Sequence, residues 1–244
     1  GELRRRRMAR TIGRMTNHVI VCGYGRVGQS AVTSLQNSKR QVVIIEKDAE
    51  KTAVLDQDSQ LYLVGDATKD EVLHQAGIDR AWGLLICTGD DSRNLFIVLS
   101  ARALNSDLYI VTRSVDAENE RKMRRAGANR VVSPYQIGGQ HMANIIVRPH
   151  VTDFFDVVTL DGGIELWVEE LVIGENSSLI GKTVGKANIR QDTGVSIIAM
   201  WRGGHSTIPD AQTMLHAGDE LIVIGTREQL TKLEKLTAID IGHI

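Results

Sequence analysis

Two cysteines in 244 residues supply no disulfide framework. Cys22 and Cys87 both sit inside apolar runs of strand character, so they are expected as reduced core thiols. An excess of one charge is also missing. The 29 Lys and Arg against 30 Asp and Glu leave a net charge of -1, which provides no overall field to draw nucleic acid or an acidic surface. No apolar run reaches the ~20 residues of a membrane-spanning helix and no signal peptide is visible, so the chain as given reads as soluble. The seven histidines are scattered, with no Cys/His spacing for a metal and no nucleophile elbow. No catalytic residue and no metal ligand is therefore expected.

What the chain does have is alternation. From His18 to Pro134 six apolar runs, "HVIVCG", "QVVIIEK", "QLYLVGD", "WGLLICTG", "LYIVTRS" and "RVVSP", recur at roughly 20–25 residues, the size of a βα unit. They lack polar alternation, as strands buried on both faces do. Helical segments lie between them. Val27, Ala31 and Leu35 form one stripe; Leu95, Val98, Leu99 and Ala103 form another behind Asp90 or Asp91 as cap. "DAENERKMRRAGANR" places acids early and bases late before Gly127, as a helix dipole and a glycine stop favour. The expected fold is α/β, a Rossmann-like doubly wound parallel sheet over residues 17–134.

Residues 135–158 read as a helical crossover interrupted near Pro149. Its cluster of Ile145, Ile146, Val147, Phe154 and Phe155 is too apolar for a plain linker; it packs either on a partner or within the chain's own core. Residues 159–244 read as a small α+β subdomain of short strands and a closing helix, with turn glycines at Gly203, Gly204, Gly218 and Gly225. The opening "GELRRRRMAR" admits three readings: a solvated, poorly ordered arm, a juxtamembrane segment, or a nucleic-acid-binding arm. Its initial Gly fits a piece cut from something longer.

Gly23, Gly25 and Gly28 in "GYGRVG" follow the first strand and open a helix, the context in which G-x-G-x-x-G binds a dinucleotide. The first glycine permits the turn, the second lets a pyrophosphate approach the backbone, and the third lets helix pack on strand. Arg26 opposes the helix dipole unless an anion is present, and reads as a phosphate ligand or as a solvent-facing cation. Glu46 ends the second strand, where a carboxylate accepts both ribose hydroxyls and repels a 2′-phosphate, with Lys47 softening that exclusion. Asp66 and Thr68 in "GDAT" follow the third strand, where they reach the adenine edge or cap the next helix. The candidate cofactor-binding set is Gly23, Tyr24, Gly25, Arg26, Val27, Gly28, Glu46, Lys47, Asp66, Ala67, Thr68, Thr88 and Arg113.

Taken together, "VIVCGYGRVGQSAV", "VVIIEKD", "LYLVGDATKDEVLHQAGIDRAWGLLICTGDDSRNLFIVLSARALN", "RRAGANRVVSP" and "AGDELIVIGTREQLTKL" resemble the regulator-of-potassium-conductance (RCK) domain of prokaryotic potassium channels and Trk/Ktr uptake systems, whose two parts are called TrkA-N and TrkA-C. The resemblance implies a non-enzymatic gating module at the cytoplasmic face of the cell membrane. Its N-terminal lobe would dimerise, a crossover would join neighbours, and eight lobes would form a ring beneath a potassium channel pore domain lying N-terminal to this chain. Residues 1–16 would be the basic juxtamembrane linker, with Met15 as an alternative translation start and no nucleic-acid partner. The regulatory ligand would be NAD(H) or ADP/ATP, with a divalent cation left open at an unidentified site. One departure stands out. Calcium-gated members carry acids after the fifth strand, where this chain has Arg113, Ser114 and Val115; the arginine resembles that of nucleotide-binding members, near the ligand phosphates or the dimer partner. Two alternatives stay open, a stand-alone Trk/Ktr uptake subunit and an NAD-dependent oxidoreductase.

Overall fold

The computed structural model describes residues 2–148, 152 and 166–237. Phe154 and Phe155, and with them the second half of the expected crossover, lie outside the described residues. All six apolar runs become strands: β1 (Val19–Cys22), β2 (Val42–Glu46), β3 (Tyr62–Val64), β4 (Gly83–Ile86), β5 (Tyr109–Arg113) and β6 (Arg130–Val132). They form one parallel sheet in the order β3-β2-β1-β4-β5-β6. The order reverses between β1 and β4, which opens a crevice at the carboxyl ends of those two strands. Every residue of β1 and β2 is buried. Their side chains alternate between two cores: Ile20, Cys22, Val43 and Ile45 enter one, and Val19, Val21, Val42 and Ile44 the other, as the two-residue period of a strand requires.

Around this sheet lie α2 (Arg26–Asn37), α3 (Thr52–Gln57), α4 (Asp70–Gln75), α5 (Asp91–Leu104) and α6 (Ala117–Arg125). Asp90 caps α5 by accepting from the Arg93 amide at 3.1 Å. The face of α5 turned inward differs from the expected stripe. Asn94, Ile97, Val98 and Ala101 are buried, whereas Leu99 is 47% exposed. The cause is Asn94, whose Nδ2 donates to the carbonyls of Thr88 and Arg113 at 3.2 and 3.0 Å, pulling its side of the helix onto the sheet.

Residues 2–14 form a helix, α1 (Glu2–Arg14), rather than a loose arm. Met8, Ile12 and the following Met15 are buried, Met8 in the core cluster that holds Val19, Val42 and Tyr62, and Ile12 and Met15 in the one that holds Ile20 and Val43. Polar ties hold it there: Arg4 pairs with Asp56 at 3.4 Å, Arg80 Nε donates to the Met15 carbonyl, and the Asn17 amide donates to that of Arg80. Helix α1 therefore sits at the amino ends of the strands.

After β6, α7 (Pro134–Val147) exposes Met142, Ile146 and Val147. The chain divides into two compact units, residues 1–140 and 141–244. The second contains the antiparallel sheet β7-β10-β8-β9, built from β7 (Trp167–Val172), β8 (Ser196–Arg202), β9 (His205–Thr207) and β10 (Glu220–Gly225). Helices α8 (Val184–Ala187), α9 (Ile189–Thr193) and α10 (Arg227–Thr237) accompany it. Leu171, Leu221, Val223, Leu230 and Leu233 belong to its core. Gly203, Gly204 and Gly218 take positive φ in turns, as expected. Gly225 instead ends β10 in extended pairing with Trp167.

Candidate nucleotide site

At the switch point lies a crevice of about 740 Å³. Its floor is the β1–α2 turn. Gly23 has φ +95, and a Cβ there would press on the backbone of Cys87 and Thr88 at 3.3–3.4 Å. A Cβ on Gly28 would lie 2.0 Å from the Gly23 carbonyl oxygen, so only glycine lets α2 sit this close to β1. Gly25 differs: a Cβ would meet nothing within 4 Å. It caps α2 without a side-chain acceptor, and Gln29 is the residue whose amide reaches the Gly25 carbonyl. The earlier amides of the first turn thus face the crevice side without helical partners, the arrangement that binds phosphate.

Glu46 closes β2 and is 5% exposed. It accepts from the Tyr24 amide at 2.7 Å, the Asp48 amide at 2.9 Å and Lys51 Nζ at 3.1 Å. Burial alone would push its carboxyl up, but those amides and Lys51 outweigh it and hold the group below the usual carboxylate range. Glu46 is thus an anionic acceptor at neutral pH, already set in orientation. Tyr24 contributes by its backbone: its ring is buried and its hydroxyl donates to Asp58 at 3.0 Å, with burial and that carboxylate pushing the phenol up to about 12.

Of the expected set, Gly23, Gly25, Arg26, Val27, Glu46, Lys47, Ala67, Thr88 and Arg113 line the crevice. Tyr24, Gly28, Asp66 and Thr68 are not among its lining residues. Asp66 is engaged by Lys47 at 3.0 Å, Arg93 at 3.2 Å, and the amide and hydroxyl of Thr68. Against the cost of burial, these donors hold its carboxyl well below the usual range. It does not cap α4, whose N-cap is Lys69.

Lys51, Arg93 and Tyr135 also line the crevice, and the sequence reading missed them. Lys51 and Arg93 follow β2 and β4, so the rule that ligands bind at strand carboxyl ends was the available signal. Tyr135 arrives on α7. Arg113 ends β5 with its guanidinium 5.4 Å from the Tyr135 ring, and its buried Nε has no hydrogen-bond partner. Five cations, Arg26, Lys47, Lys51, Arg93 and Arg113, thus line the walls together with the carboxylate Glu46. That set suits a polyanion carrying a hydroxyl-rich group: free amides and guanidinium for phosphates, a fixed carboxylate for sugar hydroxyls.

Cys87 borders the crevice, and burial pushes its thiol up to about 11. Ser114 and Val115 are held by Asp91, which accepts from Ser114 Oγ, from the amides of Val115 and Asp116, and from Asn119 Nδ2. Among the described residues no three His, Cys, Asp or Glu side chains gather as a metal site, and no helix is long and apolar enough to cross a membrane.

The sequence matches the TrkA-N domain family over residues 19–134 and the TrkA-C domain family over residues 168–238. Potassium channel protein 1 of Methanocaldococcus jannaschii is 35% identical over 236 residues, covering 95% of this chain and 70% of that protein. Probable potassium channel protein 2 of the same organism is 37% identical, covering 96% of this chain and 71% of that protein. The Trk system potassium uptake protein TrkA homolog of Pyrococcus horikoshii is 29% identical and covers 90% of this chain and 96% of that protein. Among solved structures, the GsuK channel bound to NAD aligns with a TM-score of 0.50 at 29% identity, over 91% of this chain and 38% of that one. With a parallel sheet matching TrkA-N, an antiparallel unit matching TrkA-C, and potassium channel relatives aligned over nearly its full length, the chain belongs to the TrkA family of regulator-of-potassium-conductance domains.

Proposed function

We propose that this chain is a cytosolic gating module that controls potassium flux through a channel pore by binding an adenine nucleotide, NAD(H) or ADP/ATP, without turning it over. The observation that carries this reading is the pairing of an uncapped helix N-terminus at Gly25 with a buried, pre-oriented carboxylate at Glu46. In it the α2 amides, Arg26 and Arg113 hold phosphates, and Glu46 takes the ribose hydroxyls. Lys47 and Lys51 neighbour the same carboxylate wall. Support comes from a relative, the GsuK channel, solved with NAD bound. A ligand shifts a pore only through different affinities for two states of the assembly. In the proposed assembly, homodimers form an octameric ring at the cytoplasmic face of the membrane, and α7 carries the change between lobes. Isothermal titration of NADH, NAD, ADP and ATP into the purified chain tests the ligand: saturable binding without NADH oxidation supports a sensor, and metabolite-dependent NADH turnover would replace it with an oxidoreductase.

A second reading is favoured by one comparison. The P. horikoshii TrkA homolog is matched over 96% of its own length, so a stand-alone uptake subunit of this family has the dimensions of this chain. The reading frame upstream of residue 1 discriminates: two membrane helices flanking a potassium-filter sequence select the channel, and a start codon near Met15 selects the subunit.

A further inference from the structure

Helix α1 is two-sided. Met8, Ile12 and Met15, at i, i+4 and i+7, are buried against the lobe. Arg7, Arg10 and Arg14, at i, i+3 and i+7, form a row on the other side, and all three are exposed. Among the described residues none forms an ion pair with them. Residues 1–14 carry six arginines against one glutamate, which leaves the rest of the chain with 23 basic and 29 acidic residues. A nearly neutral protein is thus strongly polarised, with its positive charge gathered on one docked helix. An uncompensated row of guanidinium groups on a helix this well anchored calls for an external anion.

We propose that the Arg7–Arg10–Arg14 face of α1 docks the lobe on an anionic lipid bilayer. The row runs along the helix for about 10 Å at helical rise, so it fits an extended surface of diffuse negative charge. Residues 1–17 contain no aromatic side chain, so the helix lacks the stacking platform of a single-strand nucleic-acid binder. Position agrees. Helix α1 is tied to residues that precede β1, β3 and β4, while the crevice opens at the strands' carboxyl ends, so a bilayer on α1 leaves the crevice accessible. This docking goes beyond the nucleotide-sensing reading and does not depend on it.

Sedimentation of the 244-residue chain with vesicles of phosphatidylcholine alone, and of equal parts phosphatidylcholine and phosphatidylglycerol, tests the proposal. Binding is expected to the anionic vesicles alone and to vanish at 1 M salt, where the Debye length falls to ~3 Å. The triple variant R7Q/R10Q/R14Q should partition about 100-fold more weakly, at roughly fivefold per arginine, and R7K/R10K/R14K should partition like the wild type. A nucleotide titration on each sample separates the two readings: nucleotide affinity unchanged in the triple variant shows an intact lobe. Equal binding to both vesicle types, undiminished binding of the triple Gln variant, or preference for an oligonucleotide over anionic vesicles would overturn the proposal. A wild-type chain that binds vesicles but no nucleotide leaves it standing and removes the sensor instead.

Discussion

Gly25 and Gly28 are three residues apart in one motif, yet the structure gives them opposite jobs, and alanine at each separates fold from ligand. At Gly28 the new Cβ would lie 2.0 Å from the Gly23 carbonyl oxygen and 3.1 Å from its carbon. Relieving that overlap requires α2 to move away from β1 by about 1 Å. Overpacking of this kind costs ~1–3 kcal/mol, and the upper end applies because the obstacle is backbone rather than a flexible side chain. Alanine returns about 1 kcal/mol of helix propensity in α2. The net loss is about 2 kcal/mol, or roughly 4–8 °C in the melting temperature. At Gly25 the Cβ meets nothing within 4 Å and φ is -85. Loss of a favourable N-cap costs roughly 0.5–1 kcal/mol, offset by ~0.4–1 kcal/mol from restricting the unfolded chain, so stability should barely change. Its methyl group, however, fills the space in front of the α2 amides. Losing one charge-assisted hydrogen bond there is worth ~1.5–3 kcal/mol, or roughly 10–100-fold in affinity. Thermal unfolding by circular dichroism and titration with NADH and ADP read the two effects separately. A Gly25→Ala chain that binds nucleotide like the wild type would refute the phosphate cradle. A Gly28→Ala chain that melts with the wild type would refute the packing argument.

Arg26→Ala should weaken ADP and ATP about 10-fold while leaving adenosine unaffected, because the guanidinium pairs with phosphate alone; equal weakening of all three ligands would place Arg26 elsewhere. His18 is fully buried and gives Nε2 to the Ala76 carbonyl at 2.8 Å. Burial lowers its pKa from 6.5, partly countered by that hydrogen bond, and Arg80 lowers it further. The sign follows: with the folded value depressed, the unfolded chain takes up the proton first, so His18 stability is complete above the unfolded value near 6.5 and is lost as pH falls. Urea midpoints of the wild type should decline from pH 6.5 to 5, whereas His18→Gln should show a shallower decline; matching slopes would exclude His18 as the cause. In the second unit, Arg202 Nε and a terminal nitrogen each donate to Asp219 at 2.6 Å. Arg202→Ala leaves a 2% exposed carboxylate with the His216 amide, and should cost about 2 kcal/mol, discounted from the fully buried case because Arg202 is itself solvent-facing. Hydrogen exchange should then rise across β8 and β10 and stay unchanged in β1 and β2; uniform exchange would mean the units unfold together.

The strands of the first unit were legible because each is a short apolar run, and in β1 and β2 burial of every residue leaves no other solution. The turn at Gly23, the helix–strand contact at Gly28 and the strand-end position of Glu46 were legible for a related reason: a turn, a close approach and a strand terminus each restrict residue type at a fixed distance along the chain. The face of α5 was not. Periodicity marked Leu95, Val98, Leu99 and Ala103, but Asn94 turns inward and bonds the carbonyls of Thr88, just past β4, and of Arg113 at the end of β5, a contact that sequence spacing does not contain.

The same division runs through the site. Sequence alone determined that the chain would build a parallel sheet with a glycine turn after the first strand and an acidic residue at the end of the next, since those depend on local backbone demands and hydrophobic burial. Tertiary structure decided which charges meet: Asp66 with Lys47 and Arg93, Arg113 with Tyr135, and an arginine-rich helix seated on the opposite end of the lobe. Electrostatic partners are chosen by distance in space, and residues 46 positions apart, like Lys47 and Arg93, become neighbours on one carboxylate only after the sheet brings its strand ends together.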